Sequence, residues 1–328
     1  MAILVTGGAG YIGSHAARAL RRTGYEVILY DNLSTGSRQL AQDFELVVGD
    51  IADEQKLRPV LARVDAVVHF AAHAYVGESV ENPRKYFRNN VQAGLALLNA
   101  TLDAGIRRFV FSSSCAVYGI PKQIPITEDT QRQPVNPYGV SKLFFEEALA
   151  AYGSAYGLRF ASLRYFNAAG ADESGEIGEL HDPETHLIPL ALAAAAPGGA
   201  VLPIFGTDYP TPDGTCIRDY IHVNDLADAH VRSLRYLEQG GDSVALNLGT
   251  GRGYSVSEVI QAAETVTGSS VRRRVMPRRP GDPPALIADA ARAKQVLGWK
   301  ASRSLTDMVS SAWSWRQTRQ AREGTCAA

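Results

Sequence analysis

The sequence predicts an α/β protein: a doubly wound parallel sheet followed by a smaller C-terminal α/β domain. Three observations lead there. Short apolar runs alternate with longer stretches of helical periodicity. A glycine-rich loop joins the first run to the first helix. After about residue 166 the alternation loosens, and Pro and Gly become frequent between 183 and 214. At roughly 150 residues per domain, 328 residues suggest two domains. The division expected is 1–166 and 167–328.

Taken in order, Ile3-Leu4-Val5 is a strand and 11–23 a helix. Strands follow at 27–30, 44–48 and 66–70, then a long helix over 83–104 and a strand at 108–111. A helix over 138–156 leads to a sixth strand at 159–163. Apolar runs without polar alternation mark strands buried on both faces, as in a parallel sheet covered by helices. Helices are expected over 223–238, 256–267 and 304–318. A strand at 245–248 is placed to return to the first sheet.

Composition excludes several classes. With 45% hydrophobic and 20% charged residues, the chain is neither disordered nor collagenous nor a coiled coil. A net charge of −1 gives no general attraction to nucleic acid or an anionic membrane, so neither is expected as a partner. Cys115, Cys216 and Cys326 are far apart and odd in number, which argues against a disulfide scaffold and fits a reducing cytoplasm. The first seven residues lack a basic region and a long apolar run, so no signal peptide is expected. Residues 185–207 carry no Asp, Glu, Lys or Arg and are long enough to span a bilayer, at about 20 residues. Pro189, Pro197, Pro203, Gly198, Gly199 and Gly206 break them, so a buried helix, a turn and a strand are expected instead.

The loop after the first strand reads Thr6-Gly7-Gly8-Ala9-Gly10-Tyr11-Ile12-Gly13. Glycines there let the backbone turn tightly and approach a pyrophosphate, which then faces the free N–H groups of the following helix. A side chain on Gly7, Gly10 or Gly13 would block that approach or the packing behind it. Asp31, at the end of the second strand, can accept both ribose hydroxyls of a dinucleotide and repel a 2′-phosphate, so the loop selects NAD over NADP in a Rossmann-type fold. Asp50-Ile51 and Phe70-Ala71 follow the third and fourth strands. The C-terminal strand ends line the ligand crevice, which puts these residues near the adenine and nicotinamide halves.

Tyr138 and Lys142 open a helix after Asn136-Pro137, and their i,i+4 spacing places both on one face. An unperturbed phenol, with a pKa of about 10, is a poor base at neutral pH. A lysine cation nearby and an oxidised nicotinamide favour the phenolate, which makes Tyr138 a proton acceptor for a substrate hydroxyl. Ser114, at the end of the fifth strand, can bond the same hydroxyl. No nucleophile elbow and no phosphate-binding Walker loop is present. His181 and His186 lie five apart with Asp182 between them. Nothing else has ligand spacing, so no metal is expected.

The glycine loop, the serine and the Tyr-x-x-x-Lys pair resemble the extended short-chain dehydrogenase/reductases. Longer stretches resemble the UDP-glucose (UDP-galactose) 4-epimerase family: Tyr30-Asp31-Asn32-Leu33, Val76-Gly77-Glu78-Ser79, Leu163-Arg164-Tyr165-Phe166-Asn167, Phe205 to Thr211 and Ile217 to Val223. The resemblance extends to about Trp315. It implies NAD contacts at Tyr11, Ile12, Asp31, Asn32, Asp50 and Ile51. Further contacts are implied at Phe70, Ala71, Asn90, Tyr138, Lys142 and Phe166. It implies UDP-sugar contacts at Ser114, Asn167, Leu187 and Phe205, and at Arg218, Arg279 and Asp282. Arg218 and Arg279 suit a diphosphate because a guanidinium forms forked bonds to it. Gly281-Asp282 favours a substrate loop for Arg279, whereas Arg272, Arg273, Arg274 and Arg278 read as surface.

Three departures from the family pattern stand out. Ala74-Tyr75 replaces a lysine that many relatives carry before Val76. His186 stands where some relatives have asparagine and is a candidate donor to phosphate or uracil. Leu286 replaces a bulky tyrosine, which would leave room for N-acetylated UDP-hexoses. The activity implied is reversible C4 epimerisation of UDP-galactose and UDP-glucose through a 4-keto sugar, in a homodimer. Epimerases of other UDP-sugars (N-acetylhexosamine, pentose or uronate) and a non-catalytic NAD-sensing protein are the alternatives. A 4,6-dehydratase is disfavoured, because Ser114-Cys115-Ala116 lacks that group's acidic pair.

Overall fold

A computed structural model describes residues 1–279 and 282–326, with the side chains of 323–326 left out. The first half alternates strand and helix: β1 (Ala2–Thr6), α1 (Tyr11–Arg22), β2 (Glu26–Asp31), α2 (Arg38–Ala41), β3 (Glu45–Val48), α3 (Glu54–Leu61) and β4 (Ala66–His69). Next come α4 (Val76–Glu81), α5 (Pro83–Tyr86), a π-helical segment (Phe87–Ala93), α6 (Gly94–Asp103), β5 (Arg108–Ser114), a short 3₁₀ turn (Cys115–Tyr118), α7 (Pro137–Tyr156) and β6 (Arg159–Tyr165). The second half holds β7 (Asn167–Ala169), α8 (Leu187–Ala195), β8 (Leu202–Phe205), β9 (Ile217–His222), α9 (Val223–Glu238), β10 (Val244–Leu248), β11 (Gly253–Ser255), α10 (Val256–Thr267), β12 (Arg273–Met276), β13 (Ala285–Leu286), α11 (Ala291–Leu297) and α12 (Leu305–Cys326).

Seven parallel strands form the main sheet in the order β3-β2-β1-β4-β5-β6-β10. Their apolar runs are explained by burial on both faces. Ile3, Val5 and Leu29 pack with Ala17 and Leu20 of α1 and Leu226 and Leu234 of α9 on one side. Leu4 and Val67 pack with Leu57, Leu97, Phe145 and Leu149 on the other. Each such side chain contributes about 1.5–3 kcal/mol when fully buried. Strand order reverses between β1 and β4, and a crevice opens there beyond the carboxyl ends of the strands.

Apart from α9, β10 and α11, which belong to the main sheet and its flank, the second half builds two smaller sheets. β9 pairs in parallel with β7 and β13 and antiparallel with β11, while β12 pairs with β8. Residues 185–207 resolve into α8, a Pro197-Gly198-Gly199 turn and β8, as the prolines and glycines predict. Among the described residues no helix is long and apolar enough to cross a membrane. The strand expected at 245–248 does return to the main sheet, as β10 beside β6.

One expectation needs correction. The single helix over 83–104 is three pieces, with a π-helical stretch in the middle. Its wider turn carries the Asn90 amide to the backbone of His73 and to Ser141 Oγ. The fifth strand ends at Ser114, as expected, three residues beyond its apolar run. Its serines are not apolar, but they pair in register with Leu163, Arg164 and Tyr165.

Candidate active site

Three successive serines at the end of β5 organise the site. α7 begins beside them because Asn136 caps the Gly139 N–H at 2.8 Å and Pro137 occupies the first turn. Lys142 Nζ donates to the Ser112 carbonyl at 2.7 Å. Ser112 Oγ and Tyr165 OH are 2.5 Å apart. Ser113 Oγ donates to Glu146 at 2.5 Å. The Ser114 side chain lies close enough to the Tyr138 phenol to favour its ionised form. The fold thus brings together Ser114, Tyr138 and Lys142, as their spacing predicts.

The electrostatics show what this chain alone supplies. Tyr138 is 9% exposed, and burial pushes its phenol well above the ordinary value, opposed by the Ser114 side chain. Lys142 is 3% exposed, and burial lowers its amine to about 7, while the Glu146 carboxylate works to raise it. Its Nζ lies 5.8 Å from the Tyr138 ring centre. The expectation that the lysine by itself favours the phenolate is therefore incomplete. Burial favours the neutral form of both groups, and a further positive charge entering the crevice would favour the phenolate.

The loop side fits a dinucleotide. Gly7 has φ +71°, and a Cβ there would meet Ala71 N at 2.5 Å; a Cβ on Gly13 would meet the Gly7 carbonyl at 2.2 Å. Gly10 has only that carbonyl near, at 3.2 Å, so its outer side faces open space. α1 starts with no side-chain cap and no acid in its first turn, which leaves its N–H groups to an anion. Asp31 accepts the N–H groups of Ala9 at 3.0 Å and Leu33 at 2.8 Å, which fixes the loop against the end of β2; burial raises its carboxyl. Asn32 donates to Asp50 at 3.0 Å across the ends of β2 and β3.

Not every expected contact faces the crevice equally. The Ile51 side chain is part of the core, so only its backbone is on offer to a ligand. Phe70 is half-buried on the His230 ring, at 4.6 Å, and the Ala71 backbone abuts Gly7. Tyr11 OH donates to the Gly170 carbonyl at 2.6 Å. The Asn90 amide is committed to His73 and Ser141, so it holds the crevice wall rather than offering a free hydrogen bond.

On the substrate side, Asn167 starts β7, opposite Tyr220 of β9. Arg218 of β9 forms a salt bridge with Asp282 and is in register with Leu286 of β13. Leu286 packs against Phe166, Val117 and Tyr118. Arg279 lies over the Phe205 ring at 4.1 Å. Gly281 is outside the described residues. Of the arginines read as surface, Arg278 bonds Asp208 at 2.7 Å and covers Tyr209.

His186 is placed differently from expectation. It precedes α8 beside Leu187, but its Nδ1 lies 2.6 Å from Glu179 Oε1 and 3.1 Å from Glu184 Oε1. These two carboxylates raise the imidazole to about 10, so only Nε2 is left to reach a phosphate or uracil. His181 shares the same Glu179 oxygen, at 2.7 Å. Its partners are Glu179 and its neighbouring rings, not the Asp182 that stands between the histidines in sequence. Tyr75, at the departure from the family's lysine, is edge-on to His181 and donates to the Pro183 carbonyl at 3.3 Å.

Sequence spacing missed Tyr165, Glu146 and Arg164, which support the serine shelf. Arg164 holds Glu146 with the Nε–Nη2 edge of its guanidinium, at 2.9 and 2.6 Å, and donates from Nη1 to Tyr118 OH at 2.9 Å. Arg164 and Tyr165 stand in a stretch already singled out by its family pattern, which was the available signal. Asp219 was also missed. It ties Thr250, Gly251 and Ala288 together beneath Arg218.

Fold and site together define a dinucleotide-dependent protein of the short-chain dehydrogenase type. The chain belongs to the NAD dependent epimerase/dehydratase family, whose model matches residues 3–249. It is similar to the UDP-glucose 4-epimerase of Rhizobium meliloti (strain 1021), with 52% identity over 319 residues covering 97% of each chain. Its structure is similar to that of UDP-glucose 4-epimerase from Brucella ovis in complex with NAD, with a TM-score of 0.92 and 51% identity over 95% of this chain and 97% of that one. It is also similar to UDP-glucose-4-epimerase from Stenotrophomonas maltophila with bound NAD and formylated UDP-arabinopyranose, with a TM-score of 0.94 and 43% identity over 98% and 99% of the two chains.

Proposed function

We propose that this chain catalyses the NAD-dependent, reversible inversion of C4 in UDP-galactose and UDP-glucose through a 4-keto sugar. The observation that carries the reading is the convergence of Tyr138, Lys142 and Ser114 on one serine-rich strand end beside the glycine loop. Relatives named UDP-glucose 4-epimerase, of nearly the same length, support it. Bound NAD supplies a hydride acceptor and donor, and its oxidised ring supplies positive charge. Tyr138 takes the proton of the sugar 4-hydroxyl and later returns it. Ser114 orients that hydroxyl. Lys142, anchored on Ser112, stabilises the phenolate. Arg218 and Arg279 hold the diphosphate, with Asn167, Leu187 and Phe205 around the nucleotide and sugar.

Glycine loop, Asp31, Asn32, Asp50 and the β4 end form the NAD half, so residues 1–166, completed by β10, serve the cofactor. Residues 167–328 mainly serve the UDP-sugar. A second reading of the substrate rests on Leu286, a modest side chain beside Phe166 at the position where the family's bulky tyrosine would narrow the sugar pocket. It favours acceptance of N-acetylated UDP-hexoses alongside the plain ones. Phe87, Val140 and Phe144 are exposed on the π-helical segment and α7 and support a homodimer through these helices. Free thiols at Cys115 and Cys216 support a reducing cytoplasm.

The test is incubation of the purified protein with several UDP-sugars, no NADH added, and separation of the products. Interconversion of UDP-galactose and UDP-glucose is expected. Failure to invert any UDP-sugar overturns the reading.

A further inference from the structure

We propose that Glu179, His181, Glu184 and His186 form a binding site for a divalent transition-metal ion, with Zn²⁺ the best fit, which clamps the segment between β7 and α8. One ligand atom from each of the four lies within 4.8 Å of the others. The arrangement is tighter than an ordinary ion pair requires. Two imidazole Nδ1 atoms converge on a single carboxylate oxygen, at 2.6 and 2.7 Å, and a second carboxylate stands 3.1 Å from one of them. The Glu179 side chain is only 7% exposed, whereas that of His186 is 43% exposed and gives an ion a way in.

The donor set decides the metal. Two imidazole nitrogens and two carboxylate oxygens suit a four-coordinate, borderline-soft ion. Mg²⁺ and Ca²⁺ prefer all-oxygen shells. Two carboxylates balance the charge of the ion when both imidazoles bind it as neutral ligands. Each Nδ1 gives up its proton on binding, either to its own Nε2 or to water. Donors around Zn²⁺ sit about 3.3 Å apart, given bonds of about 2.0–2.1 Å in a tetrahedron. To reach that spacing the hydrogen-bonded pairs at 2.6 and 2.7 Å open by about half an ångström, and the wider pairs, which reach up to 4.8 Å, close in.

Surrounding contacts hold the ligands in place, as outer contacts do in metal sites. Trp315 Nε1 donates to the Glu179 carbonyl at 3.0 Å. Glu184 Oε1 accepts the N–H groups of Thr185 at 2.7 Å and His186 at 2.8 Å. The His181 ring is edge-on to Tyr11 at 6.1 Å and to Tyr75 at 5.9 Å. An ion here joins α1 and the glycine loop, through Tyr11 and His181, to the start of α8. It acts as a structural clamp and takes no part in the proton chemistry, so the inference does not depend on the substrate reading.

The test is chelator treatment of the purified protein, reloading with Zn²⁺, and measurement of metal content, affinity by competition with a chromophoric chelator, and thermal midpoint. One Zn²⁺ per chain is expected, with the midpoint raised by about 5 °C at a hundredfold excess over Kd. His181→Gln and Glu179→Gln are each expected to weaken binding at least tenfold and to remove the rise. His181→Gln keeps the assay interpretable should the more buried Glu179 variant fold poorly. Absence of retained metal, unaltered uptake in folded His181→Gln, or equal affinity for Mg²⁺ would overturn the proposal. None of these readouts depends on turnover, so a protein that fails to epimerise could still bind the ion.

Discussion

The Glu146 carboxylate lies one helical turn beyond Lys142 on α7, with Lys142 Nζ held 2.7 Å from the Ser112 carbonyl and Glu146 held 2.5 Å from Ser113 Oγ. Two consecutive residues of one strand thus hold both charges. Lys142 has no carboxylate in direct contact among the described residues. The other charged groups facing this pair are Arg164 and, at 3.5 Å from Glu146, Arg132. Tyr138, Tyr165 and the buried His69 surround Lys142 as neutral groups; burial raises both phenols and lowers the imidazole to about 3.

This arrangement fixes the sign of a pH effect. The ammonium is present below the Lys142 pKa and lost as pH rises through it. Glu146→Gln removes the negative charge that favours the ammonium, so the high-pH limb of kcat should move down by roughly one unit. Arg164→Met leaves Glu146 less neutralised and should move the limb up. The double variant removes the whole buried pair, which is often tolerated. A purely structural role predicts lower activity in both single variants without opposite shifts. pH–rate profiles decide between the two.

Gly13→Ala should empty the cofactor site. The new Cβ would stand 2.2 Å from the Gly7 carbonyl, and neither backbone can yield without moving the loop. NAD content of the purified protein is expected to fall at least about tenfold, which corresponds to about 1.4 kcal/mol. Gly77→Ala, where a Cβ meets nothing within 4 Å, is the control and should retain NAD.

Leu286→Tyr should narrow the sugar pocket. It is expected to lower kcat/KM for UDP-N-acetylgalactosamine about tenfold more than for UDP-galactose. Equal losses on the two sugars would show that position 286 does not select between them.

Phe144→Glu on α7 should convert a dimer to monomers, since a charge would replace an exposed ring on the proposed interface. Light scattering of wild type and variant tests this. A monomeric wild type would remove the homodimer from the account.

Much of the site was legible because its constraints are local. The glycine loop, Asp31 and the Tyr138–Lys142 pair are set by strand-loop-helix order and by one turn of helix. The seven-stranded sheet was readable as apolar runs, including the return of β10. What escaped depends on pairing across distant elements. Arg164 meets Glu146 only because β6 lies beside β5 under α7. Glu179 and Glu184 join the two histidines through the fold of one irregular segment. β7, β9 and β13 are short strands whose partners are far away in sequence, and their polar residues hide the pattern. The phenol's upward shift reflects burial, which no spacing rule reports.

The central claim is that hydrogen leaves C4 to the cofactor and returns to the same carbon, with Tyr138 handling only the hydroxyl proton. The most direct measurement is conversion of UDP-galactose deuterated at C4, without added NADH, read by mass spectrometry of the UDP-glucose formed. The account predicts that deuterium stays at C4. Its replacement by solvent hydrogen would contradict it.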